Sequence, residues 1–259
     1  MTEEHALTGG NSTAVVRVGE TVRREAGPWT PAVHTLLRTL RAVGIDAVPE
    51  PIGFDDRGRE VLSFLPGEVG AYPLPGWLWD PRILDDAGAL LRRVHEASVP
   101  LVGQDLSWRS RAEPAEVICH NDAAPYNMTF SGGRLTGLFD FDMAGPGPRL
   151  RDLSYLAYRL APLAEDAGAV FSTEQRLTRI DRLVSAYGMV FARSEVLAAV
   201  ADRLRELAEY TDGRHRETGN PEFADHAAMY RRDARRAERL SGEATGAARP
   251  EESRAGDEA

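Results

Sequence analysis

The stretch His120-Asn121-Asp122-Ala123-Ala124-Pro125-Tyr126-Asn127, followed by Phe139-Asp140-Phe141-Asp142, governs the reading of this 259-residue chain. Asp122 and Asn127 share a polar loop that leaves the apolar run Val117–Cys119, and Asp140 follows a second such run, Leu135–Phe139. Singly these residues say little, because an Asp after an apolar run is often a turn former and an Asn often bonds its own loop backbone. Their joint order and spacing suit phosphoryl transfer. One carboxylate orients an attacking hydroxyl, while an amide oxygen and a second carboxylate hold a metal on the phosphates. Mg²⁺ takes few, hard oxygen ligands, which fits one Asn and one or two Asp better than a histidine-rich site.

Upstream, Thr13–Val18 and Thr21–Arg24 flank Gly19 and Glu20 as a hairpin. A helix follows, with Thr30 as N-cap, Pro31 at its first position, and Val33, Leu36, Leu37, Leu40 and Val43 as an apolar stripe that Gly44 ends. Ala47–Phe54 and Glu60–Phe64 read as a second strand pair around the turn Asp55-Asp56-Arg57-Gly58. Leu65-Pro66-Gly67 interrupts the pattern and marks a hinge. Beyond it the chain is mainly helical, with helix starts at Asp80-Pro81, at Ser172 with Gln175, at Ser194 and at Asn220-Pro221. The pattern predicts an α+β fold: a small antiparallel sheet with one helix over 1–66, a larger helical lobe over 67–240, and a disordered polar tail over 241–259.

Basic residues number 31 against 40 acidic ones, for a formal charge of -9, and every basic residue is arginine. Any phosphate clamp is therefore a guanidinium. A nucleic acid needs a basic patch to displace its counterions, so this balance argues against that partner. The single cysteine, Cys119, forms no internal disulfide, and the start lacks the basic-then-apolar pattern of a secretion signal. No apolar run approaches the ~18 residues of a membrane span. A cytoplasmic protein with no membrane partner is expected.

From Ile118 to Leu153, through His120, Asp122, Asn127, Asp140, Asp142 and Asp152, the chain resembles the aminoglycoside phosphotransferase and choline kinase superfamily, relatives of the eukaryotic protein kinases. The resemblance implies a bilobal protein-kinase-like fold, ATP or GTP as phosphate donor, and Mg²⁺. It implies Asp122 as catalytic base, Asn127 and Asp140 as metal ligands assisted by Asp142, and His120 and Asp152 as structural supports of the catalytic loop. The segment Gly9, Gly10, Asn11, Ser12 and Thr13 is similar to the family's phosphate-covering loop, where glycines let backbone amides approach phosphate oxygens. The strand after it carries a basic residue that reaches the phosphates. Arg23 is the choice here, and Arg24 then faces the other way, because adjacent strand residues alternate. Ser63, Phe64 and Leu65 fall where such folds bond the purine. The helix after Arg23 lacks the Glu that pairs the basic residue in relatives, so His34 substitutes, Glu25 compensates from outside the helix, or the clamp is unpaired.

The acceptor is expected to be a hydroxyl of a small molecule. Glu165, Asp166, Asp202, Glu206, Glu209, Tyr210, Asp212 and Glu217 suit an amine-bearing acceptor such as an aminoglycoside or another antibiotic, although helices that mix Arg with acids also form salt-bridged solvent faces. The competing readings are a catalytically inactive kinase-like nucleotide-binding or immunity protein, and a metal-dependent phosphohydrolase with His120, Asp122, Asp140 and Asp142 as ligands. A protein kinase is disfavoured by the short span between Asp142 and Asp152. A monomer or homodimer is expected.

Overall fold

The computed structural model describes residues 4–7, 15–168 and 171–247. The chain divides into two compact units, Met1–Val190 and Phe191–Ala259. In the first unit, β1 (His5–Leu7), β2 (Val15–Val18), β3 (Thr21–Arg24), β4 (Pro51–Phe54) and β5 (Glu60–Ser63) form an antiparallel sheet in the order β1-β2-β3-β5-β4. Gly19, at φ 60°, turns β2 into β3 as the hairpin pattern requires. Helix α1 (Thr30–Ala42) lies between β3 and β4 in the chain and buries Val33, His34, Leu36, Leu37 and Leu40. Trp29 takes the cap position expected of Thr30, whose hydroxyl instead accepts the Gly27 N–H at 2.9 Å. The helix ends before Val43, which is exposed and outside the apolar stripe.

The rest of this unit holds β6 (Glu68–Val69), α2 (Pro81–Ser98), β7 (Val117–Cys119), β8 (Met128–Ser131), β9 (Arg134–Leu138), β10 (Gly145–Gly147), α3 (Arg149–Leu160) and α4 (Thr173–Tyr187). β6, β8 and β9 form one small sheet, and β7 pairs with β10. The two-residue strand β6 and the Gly-Pro-Gly strand β10 carry too little periodicity to be read from sequence, and both owe their extended form to the partner strand. Asp80 caps α2 through the Arg82 N–H, and Ser172 with Gln175 forms the expected capping box on α4. α2 packs against α4 at Gly88, where a Cβ would lie 2.8 Å from the Leu183 carbonyl oxygen and 2.9 Å from the Tyr187 nitrogen.

One buried carboxylate ties β7, α2 and α3 together. Asp152, in the first turn of α3, is 0% exposed and accepts the backbone N–H of His120 at 2.5 Å and of Asn121 at 2.7 Å. The His95 ring on α2 donates to the same carboxylate at 3.0 Å, and its other nitrogen meets the Tyr187 hydroxyl at 2.7 Å. Burial pushes the Asp152 carboxyl up, but the His95 hydrogen bond and charge, with the His120 N–H, outweigh it and hold the group below its ordinary value.

The second unit contains α5 (Arg193–Thr218) and α6 (Pro221–Ala247), packed on each other around Val196, Leu197, Val200, Leu204 and Ala208 of α5. α5 is capped at Ala192 and not at Ser194, because the Glu195 side chain bonds the Ala192 N–H at 2.6 Å. α6 continues past Leu240, where the tail was expected to begin, and ends at Ala247. Among the described residues no helix is long and apolar enough to cross a membrane.

Replacing Gly88 with Ala should destabilise the protein by about 1–3 kcal/mol through backbone displacement, reversing the gain of roughly 1 kcal/mol such a change gives in an open helix. A urea midpoint equal to or above wild type would contradict this packing. Asp152→Asn should cost about 3–5 kcal/mol at pH 7. The folded-state pKa of Asp152 lies below the unfolded value of about 4, so its contribution is complete above that pH and drains as pH falls through the lowered value. The variant should therefore lose stability less steeply than wild type below about pH 4. Parallel stability curves across that range would remove Asp152 as the cause.

Candidate active site

The loop 120–127 is shaped by its own backbone. Asn121 at φ 66° and Asp140 at φ 62° are the non-glycine residues in left-handed conformation among those described, and both lie in the two segments singled out from the sequence. Asn and Asp tolerate this region better than other side chains. The Asn121 amide holds its conformation by donating to the Met143 carbonyl at 3.0 Å and accepting from Arg151 at 2.7 Å. Phe139, just before Asp140, joins the two segments. Its N–H donates to the Asn127 carbonyl at 2.9 Å, and its own carbonyl accepts from His120 Nε2 at 2.9 Å. His120 Nδ1 in turn accepts the Asp122 N–H at 3.2 Å. With one ring nitrogen on the Phe139 carbonyl and the other on the Asp122 N–H, His120 is a strut with no nitrogen left for a metal, which removes it from the ligand set of a phosphohydrolase.

Asp122 sits beneath two donors. The Asn127 amide nitrogen bonds both the Asp122 carbonyl and its Oδ2 at 2.9 Å, and the Tyr126 hydroxyl donates to Oδ1 at 2.7 Å. Both hydrogens of the Asn127 amide are spent on Asp122, so its oxygen remains as the acceptor for another partner. Burial pushes the Asp122 carboxyl above the usual carboxylate range, more than the Tyr126 hydrogen bond brings it down, and the nearby Asp140 charge adds to the rise.

The basic residue of the cleft is Arg24, which corrects the choice of Arg23. Strand alternation gives the two side chains opposite faces, and register decides which face meets the loops. Arg24 pairs with Glu60 on β5 and, being 8% exposed, bonds Glu60 at 2.5 Å, Asp140 at 2.8 Å and Asp142 at 2.5 Å. Arg23 points toward Asp55 at 3.8 Å. Burial works against the Arg24 charge, but the three carboxylates, Asp142 foremost, hold it more firmly protonated than a free arginine. The missing helix carboxylate is also explained. Glu60 supplies it from the neighbouring strand, and His34 on α1 bonds the other Glu60 oxygen at 2.9 Å. Burial raises the Glu60 carboxyl, yet His34 and Arg24 together hold it below its ordinary value.

On the far side of Asp122 a chain of donors leads away from the loop. Arg159, 4% exposed, donates to the Tyr155 hydroxyl at 3.2 and 3.3 Å, and Tyr155 lies 2.9 Å from the Tyr126 hydroxyl. Since the Tyr126 proton goes to Asp122, the proton between the tyrosines belongs to Tyr155. Arg159 also bonds the Tyr72 hydroxyl at 2.8 Å and Asp166 at 3.2 Å.

The remaining expectations divide. Gly9, Gly10, Asn11, Ser12 and Thr13 lie outside the described residues. The Ser63 and Phe64 N–H groups donate to the Glu50 and Glu20 carbonyls at 2.9 Å, so sheet pairing consumes the two amides that were expected to face a purine. Leu65 packs toward Gly137 on β9. Most of the acids expected to suit an amine are in ion pairs: Asp166 with Arg159, Asp202 with Arg205, Glu206 with Arg203, Glu217 with Arg214, and Asp212 with Arg231. Sequence reasoning passed over Glu60, Tyr126, Arg159 and His95. Only the alternation of Arg23 and Arg24 carried a signal that pointed to the right pair.

Comparison with known proteins places this geometry. The Phosphotransferase enzyme family profile matches residues 104–198. The trifolitoxin immunity protein of Rhizobium leguminosarum bv. trifolii is 35% identical over 201 residues, covering 73% of this chain and 76% of that protein. A choline/ethanolamine kinase family protein from Mesorhizobium loti superposes with a TM-score of 0.64 at 17% identity, covering 93% of this chain and 92% of that one. A spectinomycin phosphotransferase in complex with ADP and spectinomycin superposes with a TM-score of 0.60 at 12% identity, covering 93% of both chains. The α+β fold is thus the kinase-like one, and the chain belongs to the phosphotransferase enzyme family, within the aminoglycoside phosphotransferase and choline kinase superfamily.

Proposed function

We propose that the protein transfers the γ-phosphate of ATP or GTP to a hydroxyl of a small molecule, with Asp122 as general base. The observation that carries this reading is the double hydrogen bond at Phe139, which ties the loop of Asp122 and Asn127 to that of Asp140 and Asp142. The oxygen donors of Asn127, Asp140 and Asp142 suit Mg²⁺, and the Arg24 guanidinium already seated between the two aspartates marks the position as one built for a cation. Bound there, the metal would neutralise charge on the phosphate oxygens.

The residues present would divide the remaining work. Asp122 accepts the acceptor's hydroxyl proton as the hydroxyl oxygen bonds to the γ-phosphorus and the bond to the β-phosphate oxygen breaks. A carboxyl raised by burial is a better proton acceptor than a solvated one. Arg24 meets phosphate oxygens on release from the aspartates, with Glu60 and His34 holding the guanidinium in the cleft. Tyr126 and Tyr155 keep the Asp122 carboxylate oriented toward the incoming hydroxyl. A second reading, protection by binding without turnover, is favoured by the relative named as an immunity protein and by the occupancy of both aspartates by Arg24. An antibiotic or toxin bearing a hydroxyl is an acceptor compatible with the first reading.

A screen of hydroxyl-bearing antibiotics and metabolites, following nucleoside diphosphate release, tests the two readings. Asp122→Ala should lower the rate on the order of 10²-fold or more while nucleotide affinity stays nearly unchanged; equal release by both proteins would sink the base assignment. Arg24→Gln should weaken Mg-nucleotide binding by about tenfold or more, whereas Arg23→Gln should leave it close to wild type. Fluorescent-nucleotide titration checks this, and the reverse ranking would refute the placement of Arg24.

A further inference from the structure

Register carries the cleft face across the sheet of β1 to β5. Arg24 marks that face, because its guanidinium bonds Asp140 and Asp142. Two positions back along β3, Val22 lies on the same side, and so do its cross-strand partners, Arg17 on β2 and Leu62 on β5. Phe64, two positions beyond Leu62, prolongs the face to the hinge, its N–H extending the pairing to the Glu20 carbonyl. The Arg17 guanidinium carbon sits 3.7 Å from the centre of the Phe64 ring, as this alternation requires. A cation therefore lies on the roof of the cleft at the end where a purine was expected.

The Arg17 fork is held but only partly spent. Nε donates to the Gly19 carbonyl at 2.8 Å and Nη2 to a Glu20 carboxylate oxygen at 2.9 Å. A guanidinium has five N–H donors, so both hydrogens of Nη1 and one of Nη2 are left over on a side chain that is 34% exposed. The Phe64 ring covers one face of the group, which leaves the plane of the fork as the direction in which it can bond. Sheet pairing has meanwhile consumed the Ser63 and Phe64 amides. A base at this end of the cleft thus meets a side-chain donor where those two backbone positions offer none.

We propose that Arg17 reads the nucleobase of the phosphate donor and makes the protein select GTP over ATP. Guanine presents two acceptors, O6 and N7, along one edge, and Nη1 and Nη2 match them as a pair; adenine keeps N7 but turns its amino hydrogens toward the same donors. The charge on Arg17 strengthens both bonds to guanine. Because Gly19, Glu20 and Phe64 already fix the fork, little orientational freedom is lost when the base arrives. The inference rests on the phosphotransfer reading and narrows its donor nucleotide.

Displacement of a fluorescent nucleotide from the full chain, with Mg²⁺ present, by GTP, ATP and 7-deaza-GTP tests the proposal. GTP should bind the wild type about tenfold or more tightly than ATP, and 7-deaza-GTP, in which a C–H group replaces N7, should bind about three- to tenfold more weakly than GTP. Arg17→Met should weaken GTP by about tenfold or more and change ATP by about twofold at most, so that the nucleotides converge. ATP bound as tightly as GTP, or GTP and 7-deaza-GTP bound alike by the wild type, would overturn the inference and leave phosphotransfer standing; a protein that binds no nucleotide would overturn both. Should Arg17→Met not fold, the wild-type comparison of GTP with 7-deaza-GTP decides alone.

Discussion

A carboxylate with no exposure to solvent has to be neutralised, protonated or surrounded by donors, and Asp152 follows the third course. Its partners are two consecutive backbone amides at His120 and Asn121 and the ring of His95, so the group is satisfied only when α2, α3 and the strand end of β7 are all in place. The geometry of the loop 120–127 is inherited from that requirement. With the His120 and Asn121 amides fixed, Asn121 adopts its left-handed conformation and the chain turns to present Asp122 and Asn127. His120 passes the constraint on to Phe139, and through it to Asp140.

The second organising element is electrostatic. Glu60, Asp140 and Asp142 converge on one guanidinium, and like charges at that separation repel strongly in a low-dielectric setting unless a cation lies between them. Arg24 is that cation, and arginine's planar fork reaches three carboxylates where a lysine would offer a point charge. His34 extends the same network onto α1. A helix carboxylate is the arrangement the resemblance led one to expect; a strand glutamate held by a helix histidine meets the same need with different residues.

Around Asp122 the protein has chosen hydroxyls over charges. The polarised series from Arg159 through Tyr155 and Tyr126 delivers a proton to each acceptor in turn and ends on the carboxylate, an arrangement in which neighbouring hydrogen bonds strengthen one another. The acids that might have formed a polycation site are mostly taken up by arginines close in sequence, such as Asp202 with Arg205 and Glu217 with Arg214. In a chain whose basic residues are all arginine, such short-range pairing takes up most of these acids.

The sequence by itself determined the helices with strong start signals, the β2–β3 hairpin, and the chemical identity of Asp122, Asn127, Asp140 and Asp142, because periodicity, caps and loop spacing are local properties. It also held the family resemblance from Ile118 to Leu153 that the comparisons support. It did not contain the choice between Arg23 and Arg24, which depends on which face of β3 turns toward Asp140, nor the partnership of Arg24 with Glu60, separated by 36 positions. The roles of His95, Tyr126 and Arg159 were likewise invisible, since each is an ordinary helix or loop residue until distant segments meet. Those assignments belong to tertiary structure alone: a hydrogen bond between remote residues is set by strand register and helix packing, and neither leaves a mark in the local order of side chains.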